Sequence, residues 1–217
     1  MNCLQRTLLA LLLAVLAACA SGEGSIAVLE RRDLELERAT AAPSHQLRLV
    51  LAYFDDAWTP DAIHAAVRRG APILAQCSVV ITKAELLRLA APARMRDFHT
   101  PNSRELARAL RLPTPTIYFV ADTRQRPAFE AEAIGRGNSG TRPELRDTVW
   151  VTRGARDLEI VLAHELAHVL MDSGEHSEEP GNLMREDTTS RNTHLSGAQC
   201  ARLRETATAN GLLQPIR

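Results

Sequence analysis

Apolar and polar residues are arranged along the chain so that predicted strands and helices follow one another. Residues 47–54 alternate in part and are rich in strand-forming residues, which predicts a first strand. A helix is predicted to begin at Thr59 or Pro60, and Gly70 and Pro72 are expected to interrupt its apolar face. Three further short strands are predicted, at residues 78–82, 116–121 and 148–152.

The segments between and after these strands are less regular. The pattern at residues 83–89 is compatible with both a strand and a helix. Residues 102–110 predict a helix, with Asn102 or Ser103 at its N-cap, and a last helix is predicted from about Ser196. Residues 131–138 resemble an irregular or edge segment. This order is typical of an α+β or α/β fold with a mixed sheet, and α+β is the class that we expect.

A long apolar stretch carries the strongest chemical signal. Residues 158–170 read LEIVLAHELAHVL without Gly or Pro, which predicts a helix that begins near Asp157. In a helix His164 and His168 lie one turn apart on one face, where two imidazoles can bind the same zinc ion. The neighbouring Glu165 can then act as general base toward a water molecule. The alternative is a core helix with two histidines that are satisfied without a metal.

A catalytic zinc site usually has three protein ligands, so a third is needed. Gly174 is expected to end the helix in a left-handed conformation, after which the chain turns back. His176 is the first imidazole after that turn and is the predicted third ligand. The alternatives are that His176 is an exposed loop histidine, or that a carboxylate from Asp172, Glu175 or Glu186 is the third ligand.

These motifs resemble the metzincin family of zinc peptidases. The matching features are HExxH on a helix, a later glycine and histidine, and Met184 in the sequence Asn182-Leu183-Met184. The resemblance loosely spans residues 47–213, and its specific part is residues 164–184. It implies a twisted mixed sheet, an active-site helix, a C-terminal helix and a substrate cleft. It also implies that Met184 lies in a tight turn under the site, although an ordinary core methionine is the alternative.

The chain departs from the usual spacing of that family. Met171 occupies the glycine position of the usual pattern, and Gly174 occupies the position of the third histidine. His176 lies eight residues after His168, two more than usual, and Glu186 stands where some metzincins have a tyrosine. A sheet-edge strand that pairs with an extended peptide is also implied, and we assign it to residues 133–139.

The N-terminus predicts export and anchoring. Arg6 precedes an apolar segment at residues 8–18, and Leu16-Ala17-Ala18-Cys19 resembles the lipobox of a bacterial lipoprotein. The resemblance implies cleavage before Cys19, lipid on that residue, and the outer membrane, because Ala20 follows it. The expected organisation is a signal peptide at 1–18, an anchor and tether at 19–46, and a peptidase domain at 47–217. The alternative is an ordinary secretory signal with an incidental Cys19.

Composition and cysteines limit the partners. Positive and negative residues balance at 26 each and aromatic residues make up 4%, so no nucleic-acid partner is expected. Of the four cysteines, Cys3 would leave with the signal peptide and Cys19 would carry the lipid. Cys77 and Cys200 would then remain in an oxidising compartment, and a disulfide between them is predicted, with two free thiols as the alternative. The expected function is a zinc-dependent endopeptidase of the cell envelope. The alternatives are a zincin with Glu186 as third ligand and a non-catalytic metal-binding lipoprotein.

Overall fold

The structure is a computed structural model that describes residues 24–36, 43–124, 133–135 and 142–216. Within these ranges the chain forms one seven-stranded sheet and four α-helices. The strands are β1 (Ala27–Asp33), β2 (His45–Tyr53), β3 (Val79–Ala90), β4 (Thr116–Phe119), β5 (Ala133–Gly135), β6 (Thr148–Val151) and β7 (Leu213–Pro215). The helices are α1 (Pro60–Ala75), α2 (Thr100–Leu110), α3 (Leu158–Met171) and α4 (Gly197–Ala209).

The sheet is mixed, which confirms the expected α+β class. Its strand order is β1-β3-β2-β4-β6-β5, and β7 pairs with β2 outside this path. The four central strands β3, β2, β4 and β6 are parallel. The strands at the two ends of the order, β1 and β5, are antiparallel to their neighbours, as is β7.

Both faces of the sheet are covered by apolar side chains. On one face, α1, α3 and α4 pack over a core cluster that includes Val67, Val161 and Leu203. On the other face, α2 packs over a smaller cluster in which Tyr118 and Trp150 stack with ring centroids 4.2 Å apart. Every residue of β4 and β6 is buried, as expected for central parallel strands. The sheet is therefore the base on which the buried helix α3 packs.

Helix α1 is continuous, so the predicted interruption at Gly70 and Pro72 is wrong. The helix begins as expected, with Thr59 at the N-cap and Pro60 as its first residue. Gly70 lies where α1 approaches α3, and a Cβ atom built on it would be 3.0 Å from the carbonyl oxygen of Glu159. The close packing of the two helices, together with the burial of the apolar residues beyond Pro72, outweighs the low helix propensity of both residues.

The expectation of a tether throughout residues 19–46 is also wrong in part. Residues 27–33 form the edge strand β1, which pairs with β3, and β2 already begins at His45. Most side chains of β1 are exposed, so the strand lacks the apolar alternation that would have predicted it. Residues 83–89, whose pattern was compatible with both a strand and a helix, lie within the long strand β3, which pairs with β2.

The start of α2 differs from the prediction. The helix begins at Thr100 with His99 at the N-cap, and neither Asn102 nor Ser103 occupies that position. Both polar side chains act nearby: Ser103 Oγ accepts a hydrogen bond from the His99 N–H, and Asn102 donates one to the carbonyl of Arg94. The polar residues therefore predicted that a helix begins in this region, but they placed its first residue too late.

Several predicted features are outside the described residues. They include the signal segment 1–18, Cys19, and residues 136–139 of the proposed substrate-binding edge. Within the described ranges, none of the helices has the length and apolar character needed to cross a membrane. Of the predicted edge segment, the three residues of β5 are described, and they pair antiparallel with β6.

Candidate metal centre

Helix α3 carries polar residues into the interior of the molecule. It extends over Leu158–Met171 and is apolar around most of its circumference, as expected for a helix that contacts both α1 and α4. His164 is 3% exposed and Glu165 is 8% exposed. Asp157 is at the N-cap as predicted, but its side chain does not cap the helix. It accepts a hydrogen bond from the Ser190 N–H instead, at 2.9 Å.

The end of α3 is formed by Asp172, which corrects the prediction for Gly174. Asp172 has the left-handed conformation, with φ 47° and ψ 50°, and its N–H points to the carbonyls of His168 and Val169. Aspartate is among the few residues other than glycine that tolerate this region. Gly174 is exposed and follows in the loop that turns back toward the helix. The turn therefore begins two residues earlier than predicted.

This early turn brings the three predicted histidines together. The Nε2 atoms of His164 and His168 are 2.9 Å apart, and those of His168 and His176 are 3.3 Å apart. Their ligand atoms all lie within 4.8 Å of one another, so the group could hold a metal ion. The carboxylates of Asp172, Glu175 and Glu186 do not belong to this group.

Two backbone carbonyls orient the histidines of the helix. His164 Nδ1 is 2.7 Å from the Leu183 carbonyl oxygen, and His168 Nδ1 is 2.6 Å from that of Ser173. A carbonyl oxygen accepts hydrogen bonds and cannot donate them, so each ring carries its proton on Nδ1. The lone pair of each Nε2 is therefore available to a metal at the centre of the group.

The protonation of these rings also favours metal binding. Burial lowers the pKa of His164, against a smaller opposite effect of its hydrogen bond to Leu183. Burial, followed by the charge of His164, lowers the pKa of His168 to about 4. Both rings are consequently neutral near pH 7, which is the form that binds metals.

Met184 lies in a tight turn beside the site. The turn closes with a hydrogen bond from the Arg185 N–H to the Asn182 carbonyl, at 3.3 Å. Met184 is 1% exposed and belongs to the core cluster that contains α3. Its carbonyl accepts a hydrogen bond from Ser177 N–H at 2.7 Å, which ties the turn to the residue after His176. The turn thus supports both His164, through Leu183, and the returning loop.

The predicted cysteine pair is confirmed. Cys77 and Cys200 are bonded, with their Cα atoms 4.7 Å apart and a sequence separation of 123 residues. The bond joins the end of the α1 segment to α4. In addition, Arg204 of α4 donates a hydrogen bond to the Cys77 carbonyl, at 3.0 Å.

Sequence reasoning missed the groups that orient the ligands. The carbonyls of Leu183 and Ser173 have no sequence signature, because every residue has such a group. The amide of Gln199, which contacts Asn182, had a partial signal in the pattern Ser-x-x-Gln at residues 196–199, typical of a capping box. That pattern marks a helix start but does not identify the partner in space.

Comparison with known proteins finds no protein-family model that matches this chain and no match among curated proteins. The likeness to metzincins therefore depends on the residues of the site itself, and chiefly on residues 164–184.

Proposed function

We propose that the protein is a zinc-dependent endopeptidase. The observation that carries the proposal is the convergence of three imidazole nitrogens, from His164, His168 and His176, at a helix whose next residue after His164 is the buried Glu165. A purely structural zinc site has no need of an acid-base group at this position. The chain also resembles metzincins in the order of these residues and in the turn that carries Met184.

The donor set suits zinc. Three neutral imidazoles are a ligand set known from catalytic zinc sites, in which a fourth position is left for water or substrate. The carbonyl partners of His164 and His168 are the type of outer partner that such ligands usually have. When bound, zinc lowers the pKa of water and polarises a carbonyl group.

Glu165 has the role of acid and base in this proposal. Its carboxylate takes a proton from the attacking water and later gives it to the leaving amine, so that the peptide bond is split without a covalent intermediate. The low exposure of Glu165 keeps competing solvent away from this transfer. His164, His168 and His176 would hold the metal.

A peptide substrate and an envelope location complete the proposal. An extended peptide would pair with the edge strand of the sheet, in the segment of residues 133–139 that contains β5. β5 ends the strand order and contacts α3. The lipobox supports a lipid anchor at Cys19, in a bacterial envelope and in the outer membrane. Retention of the Cys19→Ser protein in the aqueous phase of a detergent partition would test the anchor.

The proposed function can be tested on purified protein that lacks residues 1–19. Zinc content is measured, and a peptide library is digested with and without chelator. Glu165→Gln is expected to retain zinc and lose about 100- to 10,000-fold in kcat/KM. Glu159→Gln is the matched control, because it removes a carboxylate that is on the same helix but pairs with Arg69 outside the site.

The result separates the candidate functions. Cleavage that chelator stops, and that Glu165→Gln lowers by the expected factor, would support the peptidase. Zinc binding without any cleavage would favour the non-catalytic metal-binding lipoprotein. If Glu165→Gln cleaved peptides as fast as wild type, the role proposed for Glu165 would be wrong.

A further inference from the structure

Two hydrogen-bonded side-chain amides, one buried and one partly buried, adjoin the turn that orients His164. Asn182 is 1% exposed, and its side chain faces that of Gln199 on α4. Asn182 Nδ2 donates a hydrogen bond to Gln199 Oε1 at 3.0 Å, and Gln199 Nε2 donates one to Asn182 Oδ1 at 3.1 Å. Each amide is thus both donor and acceptor toward the other.

Each amide oxygen also accepts a hydrogen bond from the backbone. Asn182 Oδ1 accepts one from the Met184 N–H at 2.9 Å, within the turn. Gln199 Oε1 accepts one from the Ser196 N–H at 2.8 Å, as part of the capping box of α4. An amide that rotated by half a turn would place an NH₂ group against these N–H donors, so the orientation of the pair is fixed.

We propose that Asn182 and Gln199 are positioning residues for the metal ligand His164. The path leads from the Gln199 amide on α4 to the Asn182 amide and then to the turn, where the Leu183 carbonyl accepts from His164 Nδ1. Helix α4 therefore adjusts the metal affinity of a site that it does not line. This proposal rests on the metal site of the proposed function, but it does not depend on peptidase activity.

A second set of bonds limits how far the turn can move. The Leu183 N–H donates to the His194 carbonyl at 2.6 Å, and the His194 N–H donates to the Gly181 carbonyl at 3.0 Å. These backbone bonds remain when the amide pair is disrupted. Loss of the pair should therefore loosen the Leu183 carbonyl without releasing the turn, and the expected effect is weaker metal binding rather than its abolition.

Gln199→Glu tests the proposal, because it separates the two roles of Gln199. Glutamate retains an oxygen for the Ser196 N–H and is the other residue favoured at this position of a capping box. It replaces the Nε2 donor with an oxygen that faces Asn182 Oδ1. We expect zinc affinity, measured by competition with a chromophoric chelator, to fall by roughly 10-fold, within the range typical of outer partners of metal ligands. In the metal-free protein the His164 Nδ1–H should exchange faster with solvent, as seen in NMR spectra of ¹⁵N-histidine-labelled protein.

Ser196→Ala is the matched control. It removes the hydroxyl that accepts from the Gln199 N–H, which weakens the helix cap, but it leaves the amide pair in place. We expect a lower melting temperature with zinc affinity and His164 exchange as in wild type. The proposal would be overturned if Gln199→Glu bound zinc like wild type, or if Ser196→Ala weakened binding by the same factor. A wild-type protein that bound zinc but cleaved no peptide would count against the peptidase alone.

Discussion

His176 is the proposed metal ligand that the returning loop brings close to the helix. It is exposed and lies in the loop that Asp172 starts, whereas Glu186 is outside the group of converging ligand atoms. We expect His176→Ala to weaken zinc binding by more than the roughly 10- to 100-fold that is typical of outer partners. Glu186→Ala should bind zinc like wild type. Competition with a chelator measures both variants, and the reverse order would favour the zincin with Glu186 as third ligand.

Burial of His168 makes the stability of the metal-free protein depend on pH. The pKa of His168 is lowered to about 4 by burial, against about 6.5 for histidine in an unfolded chain. Between these values the unfolded chain binds a proton that the folded protein does not, so the free energy of unfolding falls as the pH falls from about 6.5 to about 4. In urea unfolding with chelator present, wild type should lose about 2 kcal/mol more than His168→Gln between pH 7 and pH 4.5.

The comparison with His168→Gln separates the contribution of His168 to the pH dependence of stability from the contributions of other groups. Acidic residues titrate in the same range, but they do so in both proteins and cancel in the difference. The pKa of His164 is shifted in the same direction, so part of the pH dependence should remain in the variant. Equal losses in the two proteins would show that His168 is not buried in its neutral form.

The site was predictable at those residues whose role follows from spacing along one helix. His164 and His168 are four residues apart, so a helix necessarily places both on one face, whatever the fold around it. The position of His176 followed from the expectation of a turn, although Asp172 and not Gly174 supplies the left-handed residue. The carbonyls of Leu183 and Ser173 were not predictable, because the chain brings them to the rings only through tertiary contacts.

At the scale of elements, the close contact between α1 and α3 depends on Gly70, which has no side chain. A Cβ atom at Gly70 would lie 3.0 Å from the carbonyl oxygen of Glu159. We expect Gly70→Ala to force the helices apart and to lower the free energy of unfolding by about 1 kcal/mol, despite the better helix propensity of alanine. Urea denaturation of the zinc-bound protein measures the change.

Gly197→Ala is the matched control for Gly70→Ala. Gly197 is also helical, at the start of α4, but a Cβ atom there would meet nothing within 4 Å. The gain in helix propensity should then appear alone, as a rise of up to about 1 kcal/mol in the free energy of unfolding. If Gly70→Ala stabilised the protein equally, the close approach of the two helices would be wrong.

Contacts between distant parts of the chain explain why the predictions for α1 and β1 were partly wrong. Gly70 and Pro72 have low helix propensity, but α1 continues past them because apolar residues such as Ile73 and Leu74 are buried. Strand β1 is held by its pairing with β3 rather than by an apolar pattern of its own. In both cases a partner that is distant in sequence decides the local structure, and a single chain read in order does not reveal that partner.

At the scale of the whole molecule, the disulfide joins two parts of the chain that are far apart in sequence. Cys77 and Cys200 enclose most of the sheet and all of α2 and α3, with a separation of 123 residues. Because a long closed loop restricts the unfolded chain, we expect reduction to lower the free energy of unfolding by about 2–5 kcal/mol. Urea denaturation of wild type with and without reductant measures the loss of the bond. The variant Cys77→Ala/Cys200→Ala should unfold near the reduced protein and should not respond to reductant. Alkylation of both cysteines in the native, unreduced protein, or identical unfolding with and without reductant, would contradict this prediction.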